Sequence, residues 1–182
     1  QPTRAVDNSG TVTISNNASI GLTGGNTNHG VILLQSVGNV TDLSISGPVS
    51  LGGSGSVQMS NSTANRIVGS GATLTVAAGQ SILGSGQVGA GGSLALVNNG
   101  TFSATQAAPL TLHTTAGVGN NSVLRADGGT LVLQATAITQ GALGRLEALN
   151  GSTVQLSSAS VTGGSFTTSG GGAIANAAGT TS

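Results

Sequence analysis

The chain has 182 residues, with no cysteine, and only 4% of them are charged: four arginines balance four acids. A neutral chain offers no field to draw in nucleic acid or an anionic surface, so neither nucleic acid nor membrane insertion is expected as a partner. The missing cysteines exclude a disulfide scaffold, thiol chemistry and cysteine metal sites, and no apolar run approaches the roughly 18 residues of a membrane span.

Glycine is abundant, at 32 residues, yet the aliphatic residues are patterned and the chain reads as folded. Aromatics are Phe102 and Phe166 alone. The core is therefore expected to be Val, Leu, Ile and Ala, slim side chains that fit inside a narrow coil. The chain opens with Gln1 and without a signal peptide, so it reads as a mature or excised piece of an exported protein.

Helix is disfavoured, because Gly, Ser, Thr, Asn and Val dominate. Short alternating runs take its place, in order Val12-Thr-Ile14, Leu43-Ser-Ile45, Val57-Gln-Met59, Leu74-Thr-Val76, Leu94-Ala-Leu96, Leu110-Thr-Leu112 and Val154-Gln-Leu156. Period two predicts strands. Asn99-Gly100, Asp127-Gly128, Asn150-Gly151 and Gly163-Gly164 mark turns between them.

One phrase recurs, a glycine turn followed by Ser or Thr and two spaced aliphatics: Gly71-Ala-Thr-Leu-Thr-Val76, Gly91-Gly-Ser-Leu-Ala-Leu96, Gly128-Gly-Thr-Leu-Val-Leu133 and Gly151-Ser-Thr-Val-Gln-Leu156. The first two align at a shift of 20, which also takes Ile82 to Phe102. Shifts of 22 take Phe102 and Ala104 to Leu124 and Ala126, then to Leu146 and Ala148. A shift of 23 takes Leu131, Leu133, Ile138 and Leu143 to Val154, Leu156, Val161 and Phe166. A shift of 62 aligns Thr11, Val12 and Ile14 with Thr73, Leu74 and Val76, as three turns would.

A fixed period of this size predicts stacked repeats. The expected fold is all-β: a single-stranded parallel β-helix, or β-solenoid, of about eight turns with about 20–23 residues in each, right-handed by the crossover rule. It forms one domain over 1–182, with irregular turns in 1–68, regular turns in 69–174 and a tail or terminal turn in 175–182. Residues 24–38 are expected to form a broader loop or a modified first turn, and 106–109 and 114–120 to bulge at corners.

Asn98-Asn-Gly-Thr-Phe-Ser-Ala104, the run from Leu124 to Leu133, the run from Leu146 to Leu156 and Gly163-Gly-Ser-Phe-Thr-Thr-Ser-Gly-Gly-Gly172 carry a resemblance. They resemble the glycine-rich repeats of secreted bacterial right-handed β-helix proteins: filamentous-haemagglutinin-like adhesins, autotransporter passengers and large repetitive surface proteins. The resemblance implies an elongated, exported protein at the bacterial cell surface, and brings no catalytic residue with it.

The candidate functional side chains are few. Arg125 and Glu147 lie 22 apart and are expected to pair on the surface. Asp7, Asp42, Asp127 and Glu147 are too few and too scattered for paired-carboxylate catalysis. Asn28-His29-Gly30 and Arg66-Ile67-Val68 do not complete the motifs that β-helix polysaccharide hydrolases share. His29 and His113 stand alone, short of the three or four ligands a metal needs. Gly84-Ser-Gly-Gln-Val-Gly89 fits a nucleotide-loop pattern that means nothing without a following helix. Asn-x-Ser/Thr occurs at Asn17, Asn39, Asn61, Asn99, Asn120 and Asn150, and Thr-x-Thr at Thr11-Val-Thr13 and Thr73-Leu-Thr75, short of an ice-binding array.

No catalytic, cofactor or metal site is therefore expected. The expected function is structural: a rigid extracellular fibre subunit or stalk in a biofilm matrix or on the cell surface. It would associate end to end with copies of itself, or continue in a longer parent chain. The alternative is an adhesin module that binds a cell-surface or matrix receptor through corner loops such as 24–38 or 114–120.

Overall fold

The computed structural model describes residues 3–177, and every regular element among them is a strand. In chain order the first turn holds β1 (Thr3–Arg4), β2 (Asp7–Asn8) and β3 (Thr11–Ser15); the second β4 (Ser19–Asn28) and β5 (Val31–Gln35); the third β6 (Thr41–Gly52) and β7 (Ser56–Met59). The fourth holds β8 (Asn65–Val68), β9 (Thr73–Val76) and β10 (Ser81–Gly84); the fifth β11 (Gly86–Gly92), β12 (Ala95–Asn98) and β13 (Thr101–Ala104); the sixth β14 (Leu110–Thr114), β15 (Val118–Asn120) and β16 (Val123–Asp127). The seventh holds β17 (Thr130–Gln134) and β18 (Ala137–Leu149), the eighth β19 (Thr153–Ser157) and β20 (Ser160–Thr168), and β21 (Ala173–Asn176) begins a ninth.

All pairing is parallel, each strand bonding to its counterpart one turn on, so the chain is a β-solenoid. Three ladders result. The first inner row is Ile20, Leu43, Ile67, Val88, Leu112, Leu133 and Leu156. The second is Val49, Leu74, Leu96, Val118, Ile138 and Val161. The third crosses all eight turns: Val12, Ile32, Val57, Ile82, Phe102, Leu124, Leu146 and Phe166. Alternation puts these residues inside, where most are fully buried. Phe102 lies in a wide row beside a narrow one of Gly84, Ala104, Ala126 and Ala148, so bulky and small side chains interlock.

The shifts of 22 and 23 that carry Phe102 to Leu124 to Leu146, and Leu131 to Val154, match the register. Three others do not. Leu74 stacks on Leu96, not Leu94, a slip of two that leaves the inward face unchanged. Leu146 stacks on Phe166, because Leu143 lies in a register shift between Gln140 and Arg145 and is 76% exposed. The shift of 62 fails altogether: Val12 and Leu74 belong to different ladders, and Val12 reaches Ile82 through offsets of 20, 25 and 25.

Those offsets also correct the expected turn length. The second to fourth turns recur at 23–25 residues, mostly above the expected 20–23. Residues 24–38 hold half of β4 and all of β5, so most of them belong to the ladders and not to a broad loop, with 29–30 and 36–38 at corners. Within 114–120 only 115–117 lie outside strands, and Val118 and Asn120 point inward. Residues 106–109 do bulge at a corner, ahead of β14. Of the expected tail, 175–177 complete and follow β21, while 178–182 lie outside the described residues.

Candidate functional site

Half of the eight charges fall on one face. Arg125 and Asp127 point outward from β16, and Arg145 and Glu147 from the stacked part of β18. Arg125 and Glu147 are in register, yet they do not form the expected pair. Glu147 binds Arg145, two residues back on its own strand, with Arg145 Nε donating to Oε1 at 2.5 Å. A same-strand i,i+2 pair already shares a face and needs no reach across turns. Arg125 Nε donates instead to Ser103 Oγ at 3.2 Å, one turn back. Asp127 accepts a bond from Asn150 Nδ2 at 2.8 Å.

The second ion pair lies on the first ladder. Arg66 holds Asp42 with both prongs of its guanidinium, Nε to Oδ1 at 2.8 Å and Nη2 to Oδ2 at 2.7 Å. The hydrogen bonds to Asp42 raise the Arg66 pKa above its ordinary value, against an opposing effect of burial. Arg66-Ile67-Val68 is thus a strand segment: Ile67 fills the core and Arg66 ties turn to turn.

The remaining motifs resolve into architecture. His29 turns outward at a corner, its Nδ1 3.2 Å from Ser54 Oγ, between the buried Asn28 and the half-buried Gly30. His113 points outward from β14 over Gly91. Residues 84–89 run from the end of β10 into β11, and a Cβ on Gly84 or Gly86 would strike the backbone of the preceding turn. Thr11 and Thr13 face outward on the third ladder, Thr73 and Thr75 on the second, so the two Thr-x-Thr phrases share no surface. Asn120 is fully buried, which removes it as a glycan acceptor. Among the described residues no three His, Asp or Glu side chains converge.

No protein-family model, curated protein or solved structure matches this chain.

The outer side of the third ladder carries both the charged face and a groove. Its outer row runs Leu33, Gln58, Leu83, Ser103, Arg125 and Glu147. Beside Leu33, Gln58 and Leu83 lies a groove rimmed by Thr105 and Gln106. The bulge at 106–109 is pinned over earlier turns by Ala108 N donating to Asn61 Oδ1 at 2.8 Å. The other protruding corners carry Val37, 85% exposed, and Leu143.

Sequence reasoning missed the polar interior. Asn8 Nδ2 donates to Asn28 Oδ1 at 2.8 Å, and Asn28 Nδ2 to Gln80 Oε1 at 3.2 Å, two turns away. Gln80 can span the intervening turn because residues 52, 53 and 55 there are glycines. A second amide row follows: Asn98 to Asn120 at 2.8 Å, Asn120 to Gln140 at 3.0 Å, and Gln140 to the Gly163 carbonyl at 3.2 Å. At another corner Asn65 and Ser85 bond to Ser60 and Ser36. The signal was available, since Asn98 and Asn120 share the 22-residue offset of Phe102 and Leu124. Thr136 Oγ1 is the one buried side-chain polar atom without a partner among the described residues.

Proposed function

We propose that this chain is a non-catalytic structural protein of the cell exterior: a rigid β-solenoid that serves as a fibre subunit or stalk and stacks end to end. The observation that carries this reading is the direction of its bonds. Backbone, amide and serine hydrogen bonds run from each turn to the next, and the row from Val12 to Phe166 crosses all eight turns. The eighth turn continues the same pattern outward. Among the described residues β20 pairs with β18 on one side only, and Phe166, in line with Leu146, is 56% exposed. A free strand edge is a template for another strand, and near-zero net charge leaves association unopposed. The extracellular setting rests on the resemblance of the repeats.

Electron microscopy of the purified chain across a concentration series tests the proposal. One molecule is a rod of about 40 Å at about 4.8 Å per turn. Longer fibres that grow with concentration are expected. Single short rods at every concentration overturn end-to-end stacking and leave only the stalk.

The pinned bulge at 106–109 and its groove favour a second reading, an adhesin module that takes a surface or matrix receptor on the third face. Adhesion of the chain to host cells or matrix should then fall when the bulge is shortened or Arg125 is replaced by Ala. Unchanged adhesion in both variants rules this face out as the receptor site.

A further inference from the structure

We infer that Asn150 is a site of spontaneous deamidation, and that the reaction turns a stabilising contact between turns into a repulsive one. The chain has two Asn-Gly pairs, Asn99-Gly100 and Asn150-Gly151. In such a pair the glycine nitrogen attacks the asparagine Cγ. The new C–N bond closes a succinimide ring, the side-chain amide leaves as ammonia, and water opens the ring to aspartate or isoaspartate. The attack needs a free glycine N–H, room around the glycine and access for water.

The fold grants these conditions to one pair and denies them to the other. The Gly100 N–H is committed to Asn98 Oδ1 at 3.0 Å, and a Cβ there would strike the Gln80 carbonyl. Gly100 is also buried, which closes the space around its nitrogen. Asn150 and Gly151 are both exposed in a turn, and nothing lies within 4 Å of the place a Cβ would take on Gly151. Asn150 sits in the left-handed region at φ 53° in the turn after β18, with its own N–H donating to the Ser169 carbonyl at 3.1 Å.

The consequence follows from Asp127. Asn150 Nδ2 now donates to its carboxylate at 2.8 Å across one turn. Deamidation removes that donor and puts a second carboxylate in its place. Arg125, Arg145 and Glu147 are the other charged groups on this face, and Arg145 is already engaged by Glu147. Residues 169–171, in the turn above, bring no titratable side chain. Two carboxylates held this close cannot both ionise freely, so the turn is weakened at neutral pH and recovers as acid protonates one of them.

Peptide mass spectrometry on the folded protein, incubated in neutral buffer, tests the site. Asn150 is expected to convert several-fold faster than Asn99, and the two rates to converge in the same chain held unfolded in denaturant. Equal rates in the folded protein overturn the assignment. The consequence is tested on the Asn150→Asp variant. Its thermal midpoint is expected to fall below wild type at neutral pH, with the deficit shrinking in acid. A midpoint equal to wild type at both pH values overturns the repulsion.

Discussion

Asn120 shows how a single buried amide can carry the stack. It accepts from Asn98 and donates to Gln140, and it is fully buried. Replacing it by Leu keeps the number and branching of the heavy atoms but strands the Gln140 oxygen and one Asn98 proton in an apolar interior. The expected cost is about 1–3 kcal/mol. The exposed amide Asn121, which bonds Asn99 at the surface, is the control, and Asn121→Ala should stay within about 0.5 kcal/mol of wild type. Urea midpoints of the two variants check this, and equal midpoints would show that the inner ladder is not a determinant of stability. Glycine gives a second residue-scale contrast. Gly10 and Gly30 open equivalent corners in the first two turns, but a Cβ on Gly30 would strike the Gly10 carbonyl while one on Gly10 meets nothing within 4 Å. Gly30→Ala should therefore cost about 1–3 kcal/mol through displaced backbone, and Gly10→Ala should be close to neutral. Circular-dichroism melts read the difference, and two variants melting alike would contradict the close approach of the turns.

Among the elements, the two phenylalanines occupy equivalent places in one row with opposite surroundings. Phe102 lies between Ile82 and Leu124 and is fully buried; Phe166 lies beyond Leu146 and is mostly exposed. Phe102→Ala should destabilise by about 3–5 kcal/mol. Phe166→Ala should cost well under half as much, because little contact is lost. Equal losses in denaturant titration would mean that Phe166 is covered in solution. The strand rows were legible from the sequence because inward residues recur at the turn length: Phe102, Leu124 and Leu146 declared the third ladder directly. The glycine-led phrase was less reliable for a physical reason. It describes one corner and the strand after it, and a coil with three corners uses the same chemistry more than once per turn. The copies at 71–76 and 91–96 lead into β9 and β12 of the second ladder, whereas those at 128–133 and 151–156 lead into β17 and β19 of the first. Alternation could not reveal the slip of two at Leu74, since moving by two leaves every side chain on its own face. The partner of Glu147 was hidden for a related reason: register sets which strands face each other, but a long arginine on the same strand competes for the same carboxylate.

For the molecule as a whole, stability in a stack of turns is close to a sum over neighbouring interfaces, so a turn with one neighbour opens before a turn with two. The described coil has such a turn at β20. All but one of its residues are exposed, and its inner positions, Val161 and Phe166, are only partly covered. Amide hydrogen exchange should therefore follow the axis, with β20 and β21 exchanging fastest and β13 and β16 slowest. The same measurement at two protein concentrations bears on assembly. If a second copy stacks on the eighth turn, the free edge of β20 becomes an interior ladder and Phe166 becomes the equivalent of Phe102. Protection should then rise with concentration at β20 and β21 and stay constant at β13 and β16. The Phe166→Asp substitution places a charge in that row and should abolish the concentration dependence while leaving the central protection intact. Exchange at β20 that is fast at every concentration would leave the end unpaired in solution. Exchange that is slow even at high dilution would mean that the chain's own residues cover it.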